Sequence, residues 1–440
     1  MGEHGTDNRP INVLLIGGGG REHALALAIS RSPRLGRLFT SHPENPGLAA
    51  LAKPVDCPVS GAEMYRLVQF CDRNEIGLVV VGPEEPLALG FADTLATEKR
   101  LVFGPGAEGA RLESDKAWAR QLLRGASVPM GEGRAFSDAQ AAIGYILSRP
   151  QPPVVKATGL AKGKGVVVAS STAEACDAVK RIMVDRVFGE AGRTVVLEER
   201  LTGREVSVLA ITDGRSILIL PPAQDYKRLG DGDTGPNTGG MGALCPADTL
   251  DEGTMARVER EILVPTVDAL KREGIDYRGV LYAGLMLTPA GPKVLEFNCR
   301  FGDPECQVIL ARLASDVLEL LLAACTRRLG DAEVRWRDDH AVCVVLASEG
   351  YPETPRAGVV VEGLDEASAV EGVQVLHAGT RRLPDGRVVT SGGRVLNVVG
   401  VGPTRAEARR RAYEGAGKVR LDGARVRRDI GSAGPPSLEA

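Results

Sequence analysis

The sequence predicts a multidomain α/β chain: an open parallel-sheet domain first, mixed α/β units in the middle, and a small β-rich domain last. Three observations carry this reading. At 440 residues the chain exceeds what one core can hold and fits about three or four domains. Near the N-terminus, continuous apolar runs end in glycine turns and pass into helical patterns, as strands buried on both faces do. Toward the C-terminus, short β-runs alternate with turn residues. The expected units are 1–113, an open α/β domain; 114–195 and 196–328, the middle units; and 329–440, a β-rich domain with a loose tail.

Composition narrows the function. A net charge of −3 gives no global field for nucleic acid or a membrane surface, so small soluble ligands are favoured. There are 54 glycines while aromatics are only 4%, which suits tight turns and close backbone approach rather than base-stacking platforms. The eight cysteines form no C-x-x-C pair and the five histidines have no companion at zinc spacing, which excludes structural zinc. Most thiols stand in apolar runs such as residues 341–345 and read as reduced, which points to a cytoplasmic protein. Residues 1–10 are polar, and no apolar run reaches membrane-spanning length. The chain is expected to be neither exported nor membrane-spanning.

Taken in order, residues 11–16 form an apolar run ending in Gly17-Gly18-Gly19-Gly20, followed by a helical pattern to about residue 30. Backbone N–H groups at such a turn can hold a phosphate. The dinucleotide fingerprint fails, because Glu22 or His23 stands at its third glycine position, and NAD is disfavoured. Strands at 78–81 and 101–103 end in further Gly-Pro turns, and 41–47 follows another apolar run. In an open sheet these turns share the carboxyl edge, where ligands bind.

A boundary near 114 precedes a helix at 117–124 and a second helical pattern at 135–148. Two β-runs, 154–157 and 166–168, flank the loop Gly159-Leu-Ala-Lys-Gly-Lys-Gly165. It is not a Walker motif, since Gly165 stands where Ser or Thr is required. It reads as a loop able to close over phosphates, or as a surface turn with solvated lysines. Lys156 interrupts an apolar strand, and a charge there requires a partner.

Residues 194–208 read as strand, linker, strand. Glu198, Glu199 and Glu205 are candidates for polar contacts to a nucleotide lying on the linker; a charged hairpin connection is the alternative. The stretch 224–243 is a long polar, glycine-dense loop between apolar segments, a feature uncommon in compact domains unless functional. A helix at 255–273 and a strand at 279–287 follow.

The chain then reaches Val294-Leu-Glu-Phe-Asn-Cys-Arg-Phe-Gly-Asp-Pro-Glu. In an extended strand Val294, Glu296 and Asn298 share one face, which sets two oxygen ligands side by side with Arg300 just beyond. Asp303-Pro304 has the form of a helix N-cap followed by proline, and a mostly apolar helix is expected to about residue 325. From 339 the pattern is short strands near 341–347, 358–362, 373–377, 387–389 and 395–399, with one late helix at 405–419.

Four motifs together resemble the phosphoribosylamine–glycine ligase family of ATP-grasp enzymes in de novo purine synthesis. They are Gly17-Gly-Gly-Gly-Arg-Glu-His-Ala, Gly159-Leu-Ala-Lys-Gly-Lys-Gly-Val, Asp231-Gly-Asp-Thr-Gly-Pro-Asn-Thr-Gly-Gly-Met-Gly-Ala and Arg300-Phe-Gly-Asp-Pro-Glu. The resemblance covers nearly the whole chain and implies an ATP-grasp fold between the first and last domains, with 114–195 as its lid and 196–328 as its catalytic part. It implies ATP, glycine and 5-phosphoribosylamine as substrates, Mg²⁺ or Mn²⁺ as cofactor, and a monomer or weak homodimer. By similarity, Glu296 and Asn298 would hold the metal. Lys116 and Lys156 would contact nucleotide phosphates beneath Gly163, Lys164 and Gly165, while Glu198, Glu199 and Leu201 would receive adenine, with Glu205 on the ribose. Arg300, Asp303 and Lys227 would be catalytic, and Asp225, Arg300 and Asp303 would face glycine and the ribosylamine. Gly18, Gly19, Asn45 and Gly47 would face the sugar phosphate.

The sequence departs from the family pattern in three places. Tyr226 replaces the histidine of the common Asp-His-Lys-Arg, so no role for that histidine carries over. Lys162 stands where alanine is frequent, and His42-Pro-Glu-Asn-Pro-Gly differs from the usual Ala-Pro-Gly-Asn. The competing readings are another ATP-grasp carboxylase or amino-acid ligase, and a nucleotide-binding regulator that keeps the fold without turnover.

Overall fold

The computed structural model describes residues 9–161, 164–248 and 250–432. Gly163, expected over the nucleotide, and Lys162 lie outside the described residues. The architecture is α/β and multidomain, with an open parallel sheet, two antiparallel sheets of four strands and a β-rich C-terminal part. The first sheet is wholly parallel, in the order Lys53–Pro54, Leu35–Thr40, Ile11–Ile16, Ile76–Val81, Leu101–Phe103. Residues 13–16 are at most 1% exposed, which explains the unbroken apolar run. Strand order reverses beside Ile11–Ile16, so the Gly17–Gly20 and Pro83 turns open on one crevice. The Gly104 turn does not join them; it abuts Gly279 instead.

Two antiparallel sheets of four strands follow. One runs Gly133–Phe136, Val195–Glu198, Val154–Ala157, Val166–Val168; the other runs Ile217–Ile219, Arg204–Thr212, Gly279–Thr288, Gly291–Asn298. Because Val195–Glu198 and Arg204–Thr212 belong to different sheets, residues 199–203 are a crossing linker and not a hairpin. The helix expected from 135 starts at Ala139. Residues 133–136 pair with the Val195–Glu198 strand instead, and Asp138 caps the helix by accepting the Ala141 N–H at 2.7 Å.

The last sheet takes the order Gln224–Asp225, Gly242–Cys245, His340–Ala347, Arg394–Gly402, Val373–His377. The expected long loop at 224–243 is therefore corrected. Its ends are strands of this sheet, and its middle is a ribbon of Arg228–Gly230 against Thr234–Asn237. The expected helix to 325 is two helices, Glu305–Arg312 and Val317–Cys325, broken where Asp316 turns to accept the Leu318 N–H at 2.8 Å. One apolar cluster includes Leu25, Tyr282, Ile309 and Cys343, so the helix beyond Arg300 lies inside a core shared by the first, central and last sheets.

The first and last units meet at two histidines. His23 Nδ1 accepts the His377 N–H at 2.8 Å, and Asn45 Nδ2 donates to the carbonyls of Gly18 (2.8 Å) and His377 (3.2 Å). Burial lowers His23 from 6.5 to about 3 and His377 to about 4, the nearby His377 ring adding to the first shift and Arg382 to the second. Both rings fold neutral, so the unfolded chain takes up protons first. Their contribution is full above about pH 6.5 and is lost as pH falls toward 4. Urea midpoints are expected to drop across that window and to drop less in His377→Gln; equal slopes would contradict the assignment.

Candidate active site

Two pockets lie at opposite ends of one segment, residues 294–303. The first is a narrow cleft between the two middle sheets, lined by Lys116, Arg120, Met130, Lys156, Glu198 and Glu296 among others, with about 30 Å³ of free space. The partner that Lys156 requires is present. Its Nζ lies 2.7 Å from Glu198 Oε2 and donates to the Leu295 carbonyl at 2.8 Å. Arg120 holds the other Glu198 oxygen at 3.1 Å.

That Leu295 carbonyl marks a correction to the strand reading. Pairing with the Gly279–Thr288 strand passes from Gly284↔Glu296 to Leu285↔Val294, so Leu295 is a bulge. The extra residue shifts the alternation by one. Val294 packs in the same apolar cluster as Phe297 and Leu285, while Glu296 and Asn298 remain on the other face. Glu296 makes no hydrogen bond or ion pair among the described residues. Burial opposes its charge, but Lys116, Lys156, Lys227 and Arg300 hold its pKa below the ordinary carboxylate value.

The remaining nucleotide candidates scatter around this cleft. Lys116 opens the Lys116–Gly125 helix. Glu199 Oε2 accepts the Glu132 N–H at 3.1 Å, and Leu201 lies against Gly131. Lys164 is exposed, and the Gly165 carbonyl accepts the Ala157 N–H at 2.7 Å. Glu205 stands apart from the cleft, with its Oε2 at 3.3 Å from Lys227 Nζ.

The second pocket, about 460 Å³, lies between the first and last sheets. Gly18, Gly19, Asn45 and Asp303 line it as expected positions; Arg21, Glu22, His42, Thr380, Ser391 and Arg394 line it unforeseen. Gly47 does not line it: its N–H caps onto Asn45 Oδ1 at 2.9 Å and it faces the His23 ring. Glu22 occupies the glycine turn itself, Oε2 accepting the Gly19 N–H at 2.6 Å and Oε1 facing Arg21 Nε at 2.7 Å.

Between the pockets stands Arg300. Its Nη2 lies 2.8 Å from Glu113 Oε1 and its Nε 3.3 Å from Glu84 Oε2, while Glu113 Oε2 accepts the Cys299 N–H at 2.8 Å. Asn298 Oδ1 is 3.5 Å from Arg300 Nη2. Burial raises the Glu113 pKa against the pull of Arg300, whereas Glu84, beside Arg300 and Arg21, ends below its ordinary value.

Asp303 is not the helix cap it was expected to be. The Asp303–Pro304 peptide is cis, Pro304 is the N-cap of Glu305–Arg312, and no side chain caps that helix. The Asp303 carboxylate has other partners: Gln307 Nε2 at 2.8 Å, and Arg394 Nη2 at 3.3 Å from across the pocket. Burial opposes its ionisation, but Arg394 and Arg21 lower its pKa.

Asp225 and Lys227 form a third group, Lys227 Nζ standing 3.1 Å from Asp225 Oδ2. Behind them a buried chain was missed by sequence reasoning. Ser207 Oγ lies 2.7 Å from the Tyr282 hydroxyl, which donates to Glu305 Oε1 at 2.8 Å. Burial, then the charge of Asp225, raises the Glu305 pKa. The signal that exposed Lys156 was available here too, since Ser207 and Tyr282 interrupt apolar strands.

Three comparisons with known proteins bear on the family and the fold. The phosphoribosylglycinamide synthetase family matches the chain with its N domain over residues 11–113, its ATP-grasp (A) domain over 114–306 and its C domain over 341–433. The phosphoribosylamine–glycine ligase of Rhodopirellula baltica is 49% identical over 426 residues, covering 95% of this chain and 97% of that protein. The crystal structure of phosphoribosylamine–glycine ligase from Thermotoga maritima superposes with a TM-score of 0.82 at 33% identity, over 95% of this chain and 100% of the other. Biotin carboxylase from Campylobacter jejuni, solved with β,γ-ATP, shares the fold alone: TM-score 0.72 at 16% identity, over 94% and 92% of the two chains.

Proposed function

The chain belongs to the phosphoribosylglycinamide synthetase family, and on that premise we propose that it ligates glycine to 5-phosphoribosylamine with ATP, through a glycyl phosphate. The observation that supports this most is the continuity of residues 294–303. Its strand end, at Glu296, faces the lysine-lined cleft, and its turn end, at Asp303, faces the larger pocket.

The γ-phosphoryl group passes to the glycine carboxylate; the ribosylamine nitrogen then attacks the acyl carbon, phosphate leaves, and the nitrogen loses a proton. No protein nucleophile is required. The residues position the reactants and stabilise charge. Lys116 and Lys156 take the nucleotide phosphates. The free space of about 30 Å³ is far below a nucleotide's need, so binding parts the two sheets and exchanges the present partners of Lys156. Adenine lies toward the 199–203 linker, and Lys164 and Gly165 lie over the phosphates.

A divalent cation fits the unpartnered, ionised Glu296 beside the Asn298 oxygen. Among the described residues no group of three or more His, Cys, Asp or Glu could hold a metal alone, so phosphates and water would complete the shell, the habit of Mg²⁺ and also open to Mn²⁺. Bound there, the ion would neutralise phosphate charge during transfer. Arg300 is steadied by two carboxylates beside the transferring group. Asp225, Lys227 and Asp303 surround glycine and the amine, and the sugar phosphate lies in the larger pocket against Gly18, Gly19 and Asn45.

A cytoplasmic location, a monomer or weak homodimer, and the four-unit division at 113, 195 and 328 belong to the same reading. No helix among the described residues is long and apolar enough to cross a membrane. ADP release is expected to require glycine and freshly generated phosphoribosylamine together with Mg²⁺, and bicarbonate is expected not to replace glycine. Glycine-independent release, or release driven by bicarbonate, would overturn the assignment.

A further inference from the structure

We propose that Arg427, near the end of the chain, is a positioning residue: it clamps the glycine-rich ribbon and so holds Lys227 against the reacting centre. The inference rests on the reading above for what Lys227 does, and on the structure alone for the clamp.

The ribbon has little to hold it from within. Residues 234–237 are all exposed and residues 231–233 bury nothing. Its anchor comes from 199 positions further along the sequence. Arg427 is 1% exposed, and its guanidinium is fully engaged. Nε and Nη2 pair with both oxygens of Asp429 at 2.8 and 2.6 Å, which pre-orients the group. Nη1 then reaches the ribbon, donating to Asp233 Oδ1 at 2.8 Å and to the Arg228 carbonyl at 3.0 Å. Its flat face covers the Tyr226 ring at 5.1 Å, a cation–π contact.

Neighbouring bonds close the same seam. The Gly431 N–H donates to the Tyr226 hydroxyl at 3.0 Å, the Arg428 N–H to Asp231 Oδ1 at 2.7 Å, and the Gly232 N–H to Asp429 Oδ2 at 2.9 Å. Ile430, fully buried among Tyr226, Leu244 and Val342, fixes the segment in the last core.

The consequence falls on the residue between the clamped ones. In an extended chain successive side chains alternate, so fixing the Tyr226 ring toward Arg427 aims Lys227 the other way, onto Asp225 and Glu205 at 3.1 and 3.3 Å, while the bond to the Arg228 carbonyl holds the main chain just beyond it. Tyr226 thus has a part of its own here: a buried ring and an acceptor oxygen for the clamp, facing away from the reacting centre.

The test compares Arg427→Met, Arg427→Lys and the wild-type chain. In Arg427→Met, kcat is expected to fall at least about tenfold, within the ~10²-fold that a 1 Å misplacement can cost, while ADP binds as in wild type. Arg427→Lys, which keeps the charge and loses the fork, is expected to recover part of kcat. Amide exchange over residues 226–238 needs no substrate; protection there is expected to fall in Arg427→Met and stay unchanged elsewhere, even if the glycine reading fails in the wild-type assay. A folded Arg427→Met with wild-type kcat and exchange, or with ADP affinity lost in parallel, overturns the clamp. Should Arg427→Met not fold, Asp233→Asn reaches the same junction from its solvent side, with the same two outcomes.

Discussion

Asn298→Leu is expected to lose about 10²–10³-fold in turnover, the scale at which a single preorganised electrostatic partner counts, while the fold stays intact. Leucine keeps the heavy-atom count and the branch point of asparagine. The site is 9% exposed, and among the described residues the one polar contact of Oδ1 is the long 3.5 Å approach to Arg300, so little native bonding is lost. Glu296→Gln is expected to lose turnover on the same scale but to differ in binding. Glu296 is the acid facing Lys116, Lys156, Lys227 and Arg300; neutralising it makes the cleft more positive by one charge, and nucleotide should bind more tightly in the absence of a divalent ion. Turnover against Mg²⁺ concentration, paired with metal-free ADP binding, separates the two effects. Wild-type Mg²⁺-dependent turnover in Asn298→Leu would remove that residue from the metal shell.

What the sequence made legible follows a physical divide. Strands 11–16 and 78–81 were readable because burial on both faces leaves an unbroken apolar run, and Glu296 and Asn298 because period two survives between them. Lys156 was readable because a charge in an apolar strand must be answered. The bulge at Leu295 was not, since the pairing across to Gly284 and Leu285 creates it, and that pairing is written elsewhere in the chain. Asp303 misled for a related reason. Locally Asp-Pro resembles a cap, yet its carboxylate goes to Gln307 and to Arg394, a residue of the last sheet. The wall of Thr380, Ser391 and Arg394 had no local signature, because those residues become a pocket only when the last sheet docks on the first. Helix continuity from 305 to 325 failed on a single residue, Asp316, whose side chain competes for backbone donors.

Removing Arg300 should have the other large effect, on stability as well as on rate. Arg300 joins Glu113, which lies 187 positions away in sequence, and Glu84, 216 away; the Glu113 side chain is 8% exposed. Arg300→Met fills similar volume but takes from the two carboxylates the cation that joins them, with Arg21 as their remaining positive neighbour. Breaking a buried pair from one side costs about 3–5 kcal/mol, and that loss is expected in urea unfolding near neutral pH. The deficit should shrink on acidification. With Arg300 gone, burial and the Glu84 charge drive the Glu113 pKa further above 4.5. A folded pKa above the unfolded one gives stability that is present below the unfolded value and lost as pH rises through the folded value. The double variant Arg300→Met with Glu113→Gln tests the cause. Glutamine can still accept the Cys299 N–H that Glu113 Oε2 accepts at 2.8 Å, and it no longer needs a cation, so most of the stability should return. Activity should not return, because a cation at a transferring phosphoryl group is worth about 10³-fold or more. Stability that stays low in the double variant would mean that Arg300 holds the turn through its own packing, with the ion pairs incidental. Activity that returns with stability would place Arg300 in the scaffold and leave phosphoryl charge to Lys116, Lys156 and the metal.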